Sequence, residues 1–259
     1  MDLGIAGKWA IVCASSQGLG RACAAALAAE GANVVINGRD PENLEKAANE
    51  LRGTHSVEVV RVAADITTAE GRAALLATCP SADILITNNA GPKPGVFADT
   101  TEEDFARAME LHFHTPLALV RAVVDGMRER RFGRIVNITS AMVTTPNPFM
   151  AASSGARTGL TAVMKGLQRH AVRDNVTINQ LLPERIDSGR QLQMAQIEAE
   201  RDGISFDEAR RRQAASIAAG RLGRPEEFGA ACAFLCSTQA GYISGDNLHL
   251  DGGSYTGLV

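Results

Sequence analysis

The chain predicts an α/β fold, a single doubly wound parallel sheet with helices on both faces, and three observations carry that prediction. Short β-branched runs alternate with alanine-rich helical segments, the pattern of βαβ units in a sheet buried on two sides. A glycine-bearing loop follows the first of these runs and opens directly into a helix. No low-complexity linker or internal repeat interrupts the alternation over 259 residues, so one domain spanning 1–259 is expected.

The β-branched runs place seven strands, mainly parallel: Trp9 to Cys13, Asn33 to Asn37, Val57 to Ala63, Ile84 to Asn88, Gly133 to Thr139, Thr177 to Leu182, and Asn247 to Leu250. Helices fill the intervals, notably Gly18 to Glu30, Glu102 to Arg130 and Gly155 to Arg173. With 45% hydrophobic residues the chain has ample material for a core. A formal net charge of -3 and the lack of any run of like charges leave no basic surface to follow a nucleic-acid backbone.

The opening Met1-Asp2-Leu3-Gly4 has no basic region ahead of an apolar run, and no window approaches the roughly 18 uninterrupted apolar residues of a membrane span. A cytoplasmic protein with no membrane partner is expected. Five scattered cysteines, Cys13, Cys23, Cys79, Cys232 and Cys236, lie in apolar segments, which suits reduced buried thiols better than a disulfide frame or a metal site.

At the end of the first strand, Cys13-Ala14-Ser15-Ser16-Gln17-Gly18-Leu19-Gly20-Arg21 leads into the alanine-rich helix. Backbone amides and the helix dipole face whatever sits there, which makes a seat for a pyrophosphate. Gly18 and Gly20 permit close backbone approach and tight helix packing, although a glycine pattern alone also describes an ordinary turn.

The loop resembles the Thr-Gly-x-x-x-Gly-x-Gly segment of the short-chain dehydrogenase/reductase family, with Cys13 and Ala14 at the first two positions. Further segments extend the resemblance over essentially the whole chain. Asp65-Ile66 is similar to the family's adenine-contacting pair, and Asn88-Asn89-Ala90-Gly91 to its signature after the fourth strand. Arg134 to Ser140, Gly223-Arg224-Pro225-Glu226-Glu227 and Asp251-Gly252-Gly253 match its later motifs. The resemblance implies a Rossmann fold, oxidoreductase chemistry with a nicotinamide cofactor on a small carbonyl or alcohol, and a homotetramer or homodimer. It also implies cofactor contacts from Ser15, Ser16, Gln17, Gly18, Leu19, Gly20, Asp65, Ile66, Asn89, Ala90, Gly91, Thr139, Pro183, Ile186 and Ser188.

Charge argues for NADP(H) over NAD(H). An acidic residue after the second strand accepts the ribose hydroxyls of NAD, whereas a cation there accommodates the extra phosphate of NADP. This chain reads Asn37-Gly38-Arg39: Gly38 stands where the carboxylate would be, and Arg39 can fork onto a phosphate. The alternative is a solvated Arg39 that merely ends the strand.

The catalytic set is where the chain departs from the family, which uses a serine, a tyrosine, a lysine four residues later and an asparagine. Ser140 matches the serine, but no tyrosine occurs between Ser140 and Gly241. Aligning the flanking Ala-Ser and Gly-Leu-Thr puts Met150 at the tyrosine position and Ser154 at the lysine position. The family's usual spacing from serine to tyrosine instead puts Ser153 and Arg157 there; the flanking residues favour the first register. In either register the ordinary proton donor is missing, because methionine has no proton to give and serine is a very weak acid.

Two residues offer themselves as substitutes. His112 stands at the family's asparagine position and carries a group that ordinarily titrates near neutrality, or it is a satisfied interior histidine. Lys93, held between Pro92 and Pro94, falls near the nicotinamide position and would donate a proton if desolvation lowered its pKa, or it is a solvated loop lysine. The family's Pro-Gly after the sixth strand reads Pro183-Glu184 here, which alters that loop and adds charge. The polar stretch 188–221 matches the family's variable substrate lid. Two functions therefore remain: an NADP(H)-dependent oxidoreductase with a reassigned active site, or a nucleotide-binding scaffold without redox turnover.

Overall fold

A computed structural model describes residues 1–91 and 94–258. Strands β1 (Trp9–Val12), β2 (Asn33–Gly38), β3 (Val59–Ala63), β4 (Ile84–Thr87), β5 (Gly133–Ile138), β6 (Val176–Pro183) and β7 (Asn247–Leu250) each lie within two residues of the predicted bounds. They form one sheet in the order β3-β2-β1-β4-β5-β6-β7, parallel in every pair. The order reverses between β1 and β4, which opens a crevice at the carboxyl ends of the central strands.

Nine α-helices among the described residues connect the strands: α1 (Gly18–Ala29), α2 (Pro41–Thr54), α3 (Ala69–Ala77), α4 (Glu102–Met109), α5 (Thr115–Glu129), α6 (Ala151–Ala171), α7 (Gly189–Asp202), α8 (Phe206–Ala215) and α9 (Pro225–Cys236). Local chemistry starts several of them. Asp40 accepts from the amides of Glu42 and Asn43 ahead of Pro41, and Thr101 and Asp104 form a reciprocal capping box at α4.

Two predicted helices are revised. The segment from Glu102 to Arg130 is broken by a π-helical turn at Glu110–His114, a device common at functional sites. The helix expected from Gly155 starts four residues earlier, at Ala151, because a 3-10 turn at Pro148–Met150, tied by the Phe149 amide to Asn147 Oδ1 at 2.9 Å, winds the chain into it.

The inner strands β1, β2, β4, β5 and β6 are buried on both faces, whereas the edge strands β3 and β7 are partly exposed. Along β1, Ala10 and Val12 pack into one layer with α1, α2 and α9, while Ile11 packs into the other with α5 and α6. Glycine permits the closest helix pairing: a methyl group on Gly229 of α9 would collide with the Ala22 carbonyl of α1. All five cysteines are buried and free, and burial pushes the Cys13 thiol up to about 12. No helix among the described residues is long and apolar enough to cross a membrane.

Candidate active site

A cavity of about 1140 Å³ opens at the crevice between β1 and β4 and runs to the start of α7. Small-ligand pockets usually hold about 300–1,000 Å³, so this one has room for an extended ligand and a small second molecule.

The loop after β1 forms one wall. Ala14 takes a left-handed backbone with φ +46°, the conformation that favours glycine. Its amide donates to Asn37 Oδ1 at 3.3 Å, while Asn37 Nδ2 is anchored on the Val62 and Ala64 carbonyls. Gly18, at φ +60°, has open space beside it, whereas a side chain on Gly20 would strike the Ala14 carbonyl. The first glycine thus leaves the cavity clear and the second lets α1 sit against the loop. Ser16, Gln17, Gly18 and Leu19 line the cavity.

Ser15 does not line it, contrary to expectation. Its hydroxyl donates to the Val12 carbonyl at 2.6 Å and accepts from the Asn37 amide at 2.9 Å, so it ties β1 to β2 from within the core. Arg39, Asp65 and Ile66 line the far end. The amide and hydroxyl of Thr67 bond to Asp65 and, with Arg39 and Arg107 nearby, hold its carboxyl below the usual range. A side chain on Gly38 would press on Ser16, with its first carbon 3.0 Å from Oγ.

At the other end Asn89, Ala90, Gly91, Thr139, Ser140, Pro183, Ile186 and Ser188 all reach the cavity. The backbone around Glu184 is resolved in favour of glutamate: the left-handed residue is Arg185, at φ +48°, and the Glu184 amide continues the ladder to the Leu250 carbonyl at 3.1 Å. Burial pushes the Glu184 carboxyl up, against the nearby Arg185. Lys93 lies outside the described residues.

The helical start at Ala151 decides which side chains face this end. Ser153 and Arg157, one turn apart on α6, line the cavity together with Met150. Ser154 does not: it is buried, and its hydroxyl has no hydrogen-bond partner. The register with Ser153 and Arg157 is therefore the one whose two members both line the cavity that Ser140 also lines.

Arg157 is held from four directions. Nη1 donates to the Ile138 and Thr139 carbonyls, both at 2.9 Å, Nε donates to Ser153 Oγ at 3.2 Å, and Nη2 lies 3.4 Å from His112 Nε2. Desolvation, aided by the charge of Arg190, pulls its pKa down to about 10, so it remains a cation at neutral pH. Because Ser153 Oγ accepts from this cation, its own proton is left to donate elsewhere.

His112 is 4% exposed, on the π-turn, in a small space adjoining the cavity. Burial first, then the charges of Arg157 and Arg190, hold its pKa well below the ordinary 6.5. Facing a guanidinium that only donates, Nε2 is an acceptor, which assigns the proton to Nδ1. The expectation of a near-neutral imidazole acid is corrected: His112 is a neutral acceptor.

Neither tyrosine fills the gap. Tyr242 is fully exposed and Tyr255 stacks on His249 with ring centroids 4.2 Å apart, both off the cavity lining. Sequence reasoning missed Arg190, Asn147 and Phe149 as cavity residues; only the docking of α7 and of the turn before α6 brings them in. No cluster of metal-ligating side chains occurs among the described residues.

A family model described as enoyl-(acyl carrier protein) reductase matches residues 13–255. An uncharacterised oxidoreductase, YvaG, of Bacillus subtilis is 32% identical over 98% of both chains. The 3-oxoacyl-[acyl-carrier-protein] reductase FabG of Vibrio cholerae is 31% identical over 98% of this chain and 99% of that protein. Among solved structures, L-sorbose reductase from Gluconobacter frateurii, complexed with NADPH and L-sorbose, superposes with a TM-score of 0.93 at 30% identity, covering 100% of each chain. With the Rossmann topology, the glycine loop at the switch point and relatives matched over their full length, the chain belongs to the short-chain dehydrogenase/reductase family.

Proposed function

We propose that the protein is an NADP(H)-dependent oxidoreductase of a small carbonyl or alcohol, working with Ser140, Ser153 and Arg157 in place of the family's tyrosine and lysine. One observation carries this reading: the glycine loop and Arg39 at one end of a single cavity, and at the other Ser140 together with a Ser153 hydroxyl that accepts from a held guanidinium. The NADPH complex of the sorbose reductase supports the choice of cofactor.

The dinucleotide fits what this chain offers. Gly18 leaves space where the α1 amides begin, and Gly38 with Arg39 suits a phosphate better than a ribose hydroxyl held by a carboxylate. Bound there, the nicotinamide would exchange a hydride with the substrate carbon. Ser140, whose Oγ accepts from the Met142 amide at 3.2 Å, keeps its hydroxyl hydrogen free to donate a hydrogen bond to the substrate oxygen. Ser153, polarised by Arg157, offers a second hydrogen bond to that oxygen, and the single proton that completes the alcohol comes from water. The guanidinium opposes the negative charge that builds on that oxygen, so electrostatic stabilisation takes over part of the work of an acid. His112 keeps the guanidinium in place without adding charge.

Binding heats measured with NADPH and with NADH test the cofactor half, without a substrate. At least tenfold tighter NADPH binding supports it, and binding of neither would leave a scaffold without redox work. For the chemical half, carbonyl reduction should fall by about 10²-fold or more in Ser140→Ala, with NADPH affinity retained.

A further inference from the structure

We infer that the substrate carries an aromatic ring beside its reacting carbonyl, and that Met142, Phe149, Met150, Met194 and Ile197 receive the ring. This inference rests on the oxidoreductase reading and names its substrate class.

Three separate elements bring these side chains to one cavity. Met142 sits in the 3-10 turn Ala141–Val143, directly after Ser140 at the end of β5. Phe149 and Met150 close the turn Pro148–Met150 that leads into α6 and Ser153. Met194 and Ile197, three residues apart on α7, share a face of that helix. Two contacts fix where this face looks. Near the start of α7, Arg190 comes up to the loop after β4, so that a side chain on Gly91 would begin 3.4 Å from its guanidinium carbon. Near its far end, the Arg201 guanidinium lies over the Phe149 ring, 5.7 Å from the centroid. The helix between them rises roughly 16 Å, and Met194 and Ile197 fall on the stripe i, i+4, i+7, i+11 that joins the two arginines. They therefore face the gap between the loop after β4 and the turn before α6.

The polar groups around this gap are occupied. Asn147 Oδ1 accepts from the Phe149 amide at 2.9 Å, Gln193 Oε1 accepts from Arg190 at 2.8 Å, and Gln191 Oε1 is closed off from solvent. Between Arg190 and Glu198 the α7 sequence carries no charge, and past it Arg201, with its side chain 55% exposed, pairs with Asp202 at 2.7 Å. Glu184 and Arg185, on the loop after β6, lie 3.8 Å from each other. What is left to meet a substrate arm is three thioethers, a phenyl ring and an isoleucine. Thioether sulfur packs favourably against ring edges, and Phe149 offers a partner for an edge-to-face contact. Unbranched methionines adjust to the outline of a flat group, whereas a hydroxylated arm would leave its hydroxyls unpaired against them.

The test is a saturation-transfer NMR titration of the full-length protein with acetophenone and with hydroxyacetone, each with and without saturating NADP⁺, which reads binding without turnover. Acetophenone should bind at least about tenfold more tightly than hydroxyacetone. Met194→Gln, close in length but polar, should remove about tenfold of the acetophenone affinity and leave the hydroxyacetone and NADPH constants unchanged, while Met194→Leu should retain it. Equal binding of the two ketones overturns the inference, as does acetophenone binding that Met194→Gln and Phe149→Ala both leave intact, which would place the ring elsewhere. An equal loss in Met194→Leu would trace the effect to the fold of α7 rather than to polarity, and overturns it too. NADPH binding without a preference for acetophenone sinks this inference alone; Met194-dependent acetophenone binding without any NADPH binding upholds the ring site and sinks the oxidoreductase reading.

Discussion

Replacing His112 by asparagine should flatten the acid limb of the protein's stability profile. In the folded chain His112 is 4% exposed, and burial together with Arg157 and Arg190 keeps its pKa well below the ordinary 6.5; in the unfolded chain the imidazole regains that ordinary value. A depressed folded pKa means that the unfolded state takes up the extra proton as pH falls. The stabilisation is therefore complete above about pH 6.5 and is lost progressively below it, down to the folded value. For an imidazole that stays neutral in the fold between about pH 7.5 and pH 5.5, the linkage integral is about 1.4 kcal/mol. Urea unfolding at both pH values and one protein concentration, on wild type and His112→Asn, measures it as a difference, so other titrating groups cancel. The wild type should lose about 1.4 kcal/mol more than the variant. Equal losses would mean that His112 accepts a proton inside the fold, and the neutral-acceptor role assigned to it would be wrong.

Other perturbations address the cofactor end, the chemistry and the loop. Arg39→Ala should weaken NADPH by about 10- to 100-fold and leave NADH nearly unchanged, as read by binding heats; parallel losses would remove Arg39 from phosphate recognition. Installing the family pair, Ser153→Tyr with Arg157→Lys, should raise carbonyl reduction by about 10²–10⁴-fold if the missing acid is what limits the rate, and an unchanged steady-state rate would place the limit elsewhere. Ala14→Gly should raise unfolding stability by up to about 1 kcal/mol, because the left-handed φ of +46° then costs nothing sterically; a loss would show that the Asn37 contact already relieves the strain. Gly20→Ala should lower stability by about 1–3 kcal/mol and abolish NADPH binding, since its methyl group collides with the Ala14 carbonyl. Full NADPH affinity in that variant would contradict the geometry of the loop.

The sequence by itself determined the sheet, because inner strands buried on both faces are rich in β-branched and other apolar residues and glycine must stand where backbones meet. That is why β1 through β7 lie within two residues of their predicted bounds and why Gly18 and Gly20 are legible in the sequence. It also determined that the ordinary acid is absent, since a chain with two tyrosines, both beyond Gly241, has none to place on α6. What only the tertiary structure decided is which α6 residues face the cavity. Flanking similarity pointed to Met150 and Ser154, but the turn at Pro148–Met150 starts α6 at Ala151 and sets its rotation, which brings Ser153 and Arg157 to the surface of the site and turns Ser154 into the core. The charge state of His112 and the approach of Arg190 belong to the same class of fact: both depend on distances between elements far apart in the chain, and desolvation and Coulomb interactions exist only once those elements have packed.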